Sequence, residues 1–197
     1  MPYDYSDAGP QLIPANTVAT CCLHIQGGGA GEDGMLKLSR DGRCAMLSLE
    51  ITLLDGKFAK RKVFENWIVE GVDHAKAIEI SRSRIKAVLD SAWGLDPKDV
   101  SPQARAARTK NYKELQGLTF IGKIGIEKGA PKNDGSGENW PDKNILAAII
   151  TPDRREWHPV VQPPFDGGGP ATSPSAAPSS SAPPTSTPPI TRPGWAS

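Results

Sequence analysis

The sequence predicts a mainly β fold with helices, and three observations carry that prediction. Residues 73–94 hold the only long helical periodicity. In them Ile78, Ser81, Ile85, Val88, Leu89 and Ala92 recur at three- and four-residue steps, opposite Lys76, Glu79, Arg82, Lys86 and Asp90. Residues 44–54 alternate apolar and polar side chains, as a half-buried strand does. Strand-like segments form a group before the helix and resume as a pair after it. That order predicts a β-barrel: a five-stranded Greek-key barrel of the OB type, with the amphipathic helix between strands three and four.

The 197 residues are enough for one domain and an extension. From residue 159 on the chain is Pro, Ser, Thr, Ala and Gly with almost no charge. It cannot bury enough surface to offset its ordering entropy and is expected to be a disordered tail. Residues 1–13 are expected to form a flexible arm and 14–158 the folded body. A formal net charge of +1 neither demands nor excludes a nucleic-acid partner, so clustering of charge has to decide. Cys21, Cys22 and Cys44 are odd in number and two are adjacent, which argues against a disulfide framework and for a reduced compartment. No apolar run reaches membrane-span length, and the acidic opening residues do not read as a signal sequence. The expectation is a soluble, cytoplasmic protein.

Residues 17–26 read as the first strand. Residues 27–34, GGGAGEDG, contain a formal G-x-G-x-x-G at Gly29, Gly31 and Gly34. A phosphate cradle needs a helix directly after the glycines. Here MLKLSRDG follows, alternating like a strand up to the Asp41-Gly42 turn, so the segment reads as a connecting loop. Within 44–54, Ala45, Leu47, Leu49, Ile51 and Leu53 belong to the core. Asp55-Gly56 opens the next hairpin. The third strand is ambiguous. Phe58, Lys60, Lys62, Phe64, Asn66 and Ile68 alternate with Ala59, Arg61, Val63, Glu65, Trp67 and Val69, and neither set is purely apolar. Either one face shows rings and lysines to solvent or a bulge switches the faces midway. Asp73 is the expected cap of the long helix, Gly94 its left-handed end, and Trp93 a core anchor. Ser101 caps, and Pro102 opens, a second helical piece running to about Asn111. Strands return at 118–128 and 144–151, separated by the polar loop 129–143.

A zinc site would have to draw on Cys22, His24 and Cys44, which buried thiols explain more simply. Nothing in the spacing of Glu50, Glu65, Glu70 and Asp73 selects a metal-dependent nuclease over solvated charge. No nucleophile elbow, Ser-His-Asp spacing or phosphate-binding lysine motif is present, so no catalytic residue, metal or cofactor is assigned. Single-strand binding asks instead for a basic groove and aromatic faces. An OB barrel presents these on strands two and three and on the loops after strands one and four, here 27–34 and 129–143. Lys57, Lys60, Arg61 and Lys62 lead the third strand, with Phe64, Asn66 and Trp67 behind them. Lys123 and Lys128 lie on the fourth strand, and Lys132, Trp140 and Lys143 in the second loop. Hairpin-edge lysines also guard against edge-to-edge association, and Phe64 and Trp67 serve equally well as core residues. Arg82 and Arg84 read as solvated.

The phrases FENWIVEG, SRSRIKAVLDSAWGLDPKD, SPQARAAR, LQGLTFIGKIGIEKG and IITPD fall within 11–157. With the Pro/Ala/Ser tail ending GWAS, they resemble a family of small bacteriophage and prophage proteins long catalogued as a domain of unknown function. The resemblance implies an OB fold and a single-stranded-DNA-binding-like role in replication or recombination, without individual contact residues. Bacterial-type single-strand binders end in an acidic, apolar tip. This tail has none, and Arg192 and Trp195 are read as its candidate docking tip for partner proteins. The expectation is a non-enzymatic single-stranded DNA-binding protein of a phage or prophage, acting in the host cytoplasm. A protein-interaction adaptor of the replication machinery is the alternative, and a metal-dependent nuclease a distant third.

Overall fold

A computed structural model describes residues 11–133 and 136–163. Residues 1–10, the loop tip 134–135 and everything from 164 on, including Arg192 and Trp195, lie outside the described residues. Among the described residues the order is β1 (Thr17–Gln26), β2 (Lys37–Leu38), β3 (Cys44–Leu53), β4 (Lys62–Gly71), α1 (Ala75–Trp93), α2 (Pro102–Arg108), β5 (Thr119–Glu127) and β6 (Lys143–Ile150). A short 3-10 helix, Tyr112–Leu115, precedes β5.

The strands form one antiparallel sheet in the order β4-β3-β1-β5-β6, with β2 beside β3. β2 extends the ladder of β1. The last β1 pair is Gln26 with Ser48, and Lys37 of β2 pairs with Met46, the next same-face position on β3. Residues 27–36 are therefore looped out of a single edge. Gly28 sits where a Cβ would fall 2.5 Å from the Leu36 carbonyl oxygen, so only glycine fits the neck of that loop.

Side-chain alternation decides what faces inward. Ala19, Cys21, Leu23 and Ile25 from β1 meet Ala45, Leu47, Leu49, Ile51 and Leu53 from β3, the five expected in the core. β4 adds Val63, Trp67 and Val69, β5 adds Phe120 and Ile124, and β6 adds Leu146. α1 lies against β4, β5 and β6. It buries Ser81, Val88, Leu89 and Ala92 of the expected stripe, and also Ser91 and Asp90. Asp90, expected on the polar side, turns inward because Lys86 and Arg108 pair with it.

The expected closed barrel of five strands is not what forms. The sheet is open and has six strands, with no backbone ladder between its ends, β4 and β6. The reason lies at Glu65. Its Oε1 accepts the Leu146 N–H at 2.7 Å, occupying a donor that a β4–β6 ladder would use. The antiparallel pairings make β4 and β6 run in the same direction, joined across this seam by a side chain.

Several local expectations are corrected as well. Asp73 does not cap α1. It has a positive φ of 65° and pairs with Arg43 at 3.2 Å, while His74 takes the N-cap position without a side-chain bond. Gly94 does end the helix in the left-handed conformation, its N–H bonding the Asp90 carbonyl. Trp93 is exposed, because the buried stripe ends at Ala92 and the next residue turns about 100° away. α2 stops at Arg108. Asn111 instead opens the 3-10 turn through reciprocal bonds with Glu114.

Ile13, the last residue of the expected N-terminal arm, is fully buried, and its backbone is clasped by the Asn144 side chain at 2.8 Å on both sides. At the other terminus Gln162 bridges Ala92 and Thr119 through three hydrogen bonds. Trp157 Nε1 donates to the Ser91 carbonyl at 3.0 Å. No helix among the described residues is long and apolar enough to cross a membrane.

Candidate nucleic-acid interface

Register fixes the outer face of β1, β3 and β4. Cys22, Thr52 and Lys62 form one row, His24, Glu50 and Phe64 the next, and Gln26, Ser48 and Asn66 a third. The ambiguity of the third strand is thereby resolved. Phe64 stands outward and is 57% exposed, whereas Trp67 is 3% exposed, inside the core. The Trp67 indole N–H donates to Glu65 Oε2 at 2.7 Å, and the Arg84 guanidinium lies 5.6 Å from its ring centroid. Trp67 has no face left for a base. The faces do not switch midway: the register shift against β3 comes near the end of β4, between the pairs Ala45–Glu70 and Met46–Ile68.

Two hairpins carry most of the expected cations, and both lie toward the start of β1. The β3–β4 turn, with Lys57, Lys60 and Arg61, is tied to Thr20, whose N–H donates to Asp55 Oδ1 at 3.1 Å. The β5–β6 hairpin leaves β5 beyond Ile124, which pairs with Thr17. The loop 27–36 departs from the other end of the ten-residue β1. The two long loops therefore do not frame one surface as expected. The two basic hairpins sit together at one end of the sheet, and Lys123 lies toward that end of β5, paired with Val18 and Ala148.

The charges on these hairpins differ in availability. Lys62 pairs with Glu50 at 2.7 Å, Lys128 with Asp142 at 2.7 Å, Lys132 with Glu138 at 2.5 Å and Lys143 with Glu127 at 2.9 Å. Lys57, Lys60, Arg61 and Lys123 have no ion-pair partner among the described residues. Arg61 uses one N–H on the Gln11 carbonyl at 2.7 Å. Trp140 is 60% exposed, and Lys132 Nζ lies 5.8 Å from its ring centroid. Its backbone is held in a β-like turn: Trp140 N donates to the Ala130 carbonyl at 2.8 Å, and Pro131 bridges Asn139. A Cβ on Gly129 would fall 1.5 Å from the Trp140 carbonyl oxygen, so this turn requires glycine.

The candidate ligands for metal chemistry are kept apart. Cys22 pairs with Thr52 and Cys44 opens β3, eight residues away, roughly 26 Å along the strand. Burial pushes the Cys21 thiol up to about 12 and raises Cys22 as well, leaving both protonated and weakly nucleophilic at neutral pH. Of the four carboxylates, Glu50 faces outward against Lys62, Glu65 faces inward, Asp73 pairs with Arg43, and Glu70 is exposed at the end of β4.

Sequence reasoning missed the Glu65–Arg84 pair. Arg84, expected to be solvated, donates to Glu65 Oε2 at 2.5 Å, and the Glu65 side chain is only 8% exposed. A charged residue at an inward strand position, followed by an arginine beside the buried helix stripe, was the available signal. No protein-family model matches this chain, and no match is found among curated proteins or among solved structures.

Proposed function

We propose that this protein binds single-stranded nucleic acid without catalysing a reaction. Its surface would be the outer face of β1, β3 and β4 together with the two basic hairpins. Phe64 carries the reading. A phenyl ring held out to solvent on β4 forgoes about 1.5–3 kcal/mol of burial, and its strand leads out of the hairpin that carries Lys57, Lys60 and Arg61. A base stacked on such a ring contributes about 1–3 kcal/mol, whatever its identity, while free cations follow the phosphates. Trp140 offers a second exposed ring, on the β5–β6 hairpin. The strand order, with the two end strands running in the same direction, supports an OB-type arrangement whose last seam is held by side chains. DNA as the strand bound, and a place in phage replication or recombination, rest on the resemblance of the phrases alone.

The adaptor reading also has an observation in its favour: four of the expected phosphate-binding lysines are already paired with carboxylates. A gel-shift with poly-dT separates the two. Micromolar or tighter binding, weakened about five-fold or more by Phe64→Ala and by Trp140→Ala but not by Arg155→Ala, is expected for the binder. No shift at micromolar protein would leave the adaptor.

A further inference from the structure

The open seam leaves a groove of about 440 Å³ between α1 and β6. One wall is the helix stripe from Lys76 to Ala87, and the floor is β6 from Leu146 to Ile149, with the small side chains of Ala147 and Ala148 exposed. Ile80, 49% exposed, projects from the helix wall. Glu79 on the same stripe has no ion-pair partner among the described residues. The Arg84 side chain is 34% exposed and has spent one N–H on Glu65, so the rest of its fork can take a second carboxylate.

We propose that this face joins two copies of the chain, their α1 helices antiparallel about a two-fold axis midway between Ile80 and Ser83. The stripe is complementary to its own reverse. When it is turned end for end about that midpoint, Glu79 falls opposite the partner subunit's Arg84 and Ile80 opposite the partner subunit's Ser83. Lys76 then meets the partner subunit's Ala87. Two Glu–Arg pairs form by symmetry, as an isologous interface requires. Shape agrees with charge. Each copy presents a ridge, α1, beside a groove floored by alanines, so each ridge can enter the other's groove. Antiparallel helices also set their dipoles in the favourable sense. A small ligand fits this groove less well, since the buried carboxylate beside its floor, Glu65, is already engaged by Trp67, Arg84 and Leu146.

The test is the mass in solution of the full chain, by sedimentation equilibrium at about 1–100 μM, for wild type, Ile80→Glu and Glu79→Arg. The wild type is expected to be a dimer, with dissociation at least ten-fold easier in each variant. Both positions are exposed, and far-UV circular dichroism checks folding. If Ile80→Glu fails to fold, Glu79→Arg alone decides. A monomeric wild type overturns the proposal, as does a dimer that either folded variant leaves unchanged. Either result leaves the nucleic-acid reading untouched, because neither substitution lies on the face of Phe64.

Discussion

Phe64 and Trp67 lie three positions apart on β4 and have opposite fates, and the residue between them in the inward set explains why the pattern was hard to read. Glu65 faces the core, which spoils the apolar alternation that would have marked Val63, Trp67 and Val69 as buried. Its charge is tolerated because Trp67, Arg84 and Leu146 each supply a donor. Those partners lie up to 81 positions away, so the sequence alone could not choose the outward ring. At Trp140 the local chemistry is simpler. Asp142 accepts from Lys128 Nζ and from Gly129 N, and these bonds hold its carboxyl below the usual range. A depressed carboxyl stabilises the turn at all pH values above the ordinary carboxylate range, and the contribution is lost as pH falls through the depressed value. On acidification below that range the Gly129 amide is therefore expected to lose protection relative to its intrinsic exchange rate at each pH, and the Trp140 indole resonance to move. In Asp142→Asn neither the protection factor nor the resonance should change over the same window.

At the scale of elements, β1, β3, β5 and β6 follow the expected boundaries to within a residue or so, because alternation is a local property. The third strand begins later, at Lys62, since residues 54–61 form the hairpin turn. Closure was not legible. Whether β4 and β6 join depends on one side chain reaching across, and a strand pattern carries no record of that. The seam gives a direct expectation. Arg84→Ala leaves the buried Glu65 carboxylate with only neutral donors and should cost about 3 kcal/mol of unfolding free energy in a urea titration. Arg82→Ala, on the exposed side of α1, should stay within about 0.5 kcal/mol. Equal effects of the two substitutions would mean that the seam is not held by this pair. A second buried carboxylate, Asp90, works similarly at the other end of α1. Lys86 and Arg108 each reach it at 2.6 Å, and Arg108 fixes α2 and the 95–99 turn through the Asp96 and Asp99 carbonyls.

At the scale of the molecule, an open antiparallel sheet packed against α1 gathers two basic hairpins at one end, with Trp140 on one of them and Phe64 on the strand that leaves the other. Among the described residues four of these cations have no ion-pair partner and four are paired with carboxylates, so the electrostatic share of binding should be moderate. The most direct test is a fluorescence titration with oligo-dT at several salt concentrations. If Lys57, Lys60, Arg61 and Lys123 each displace one counterion, the plot of log affinity against log salt should fall with a slope of about −3, and Lys60→Ala should flatten it by about 0.7. Absence of binding, or a slope that Lys60→Ala leaves unchanged, would contradict a nucleic-acid surface at this end of the sheet.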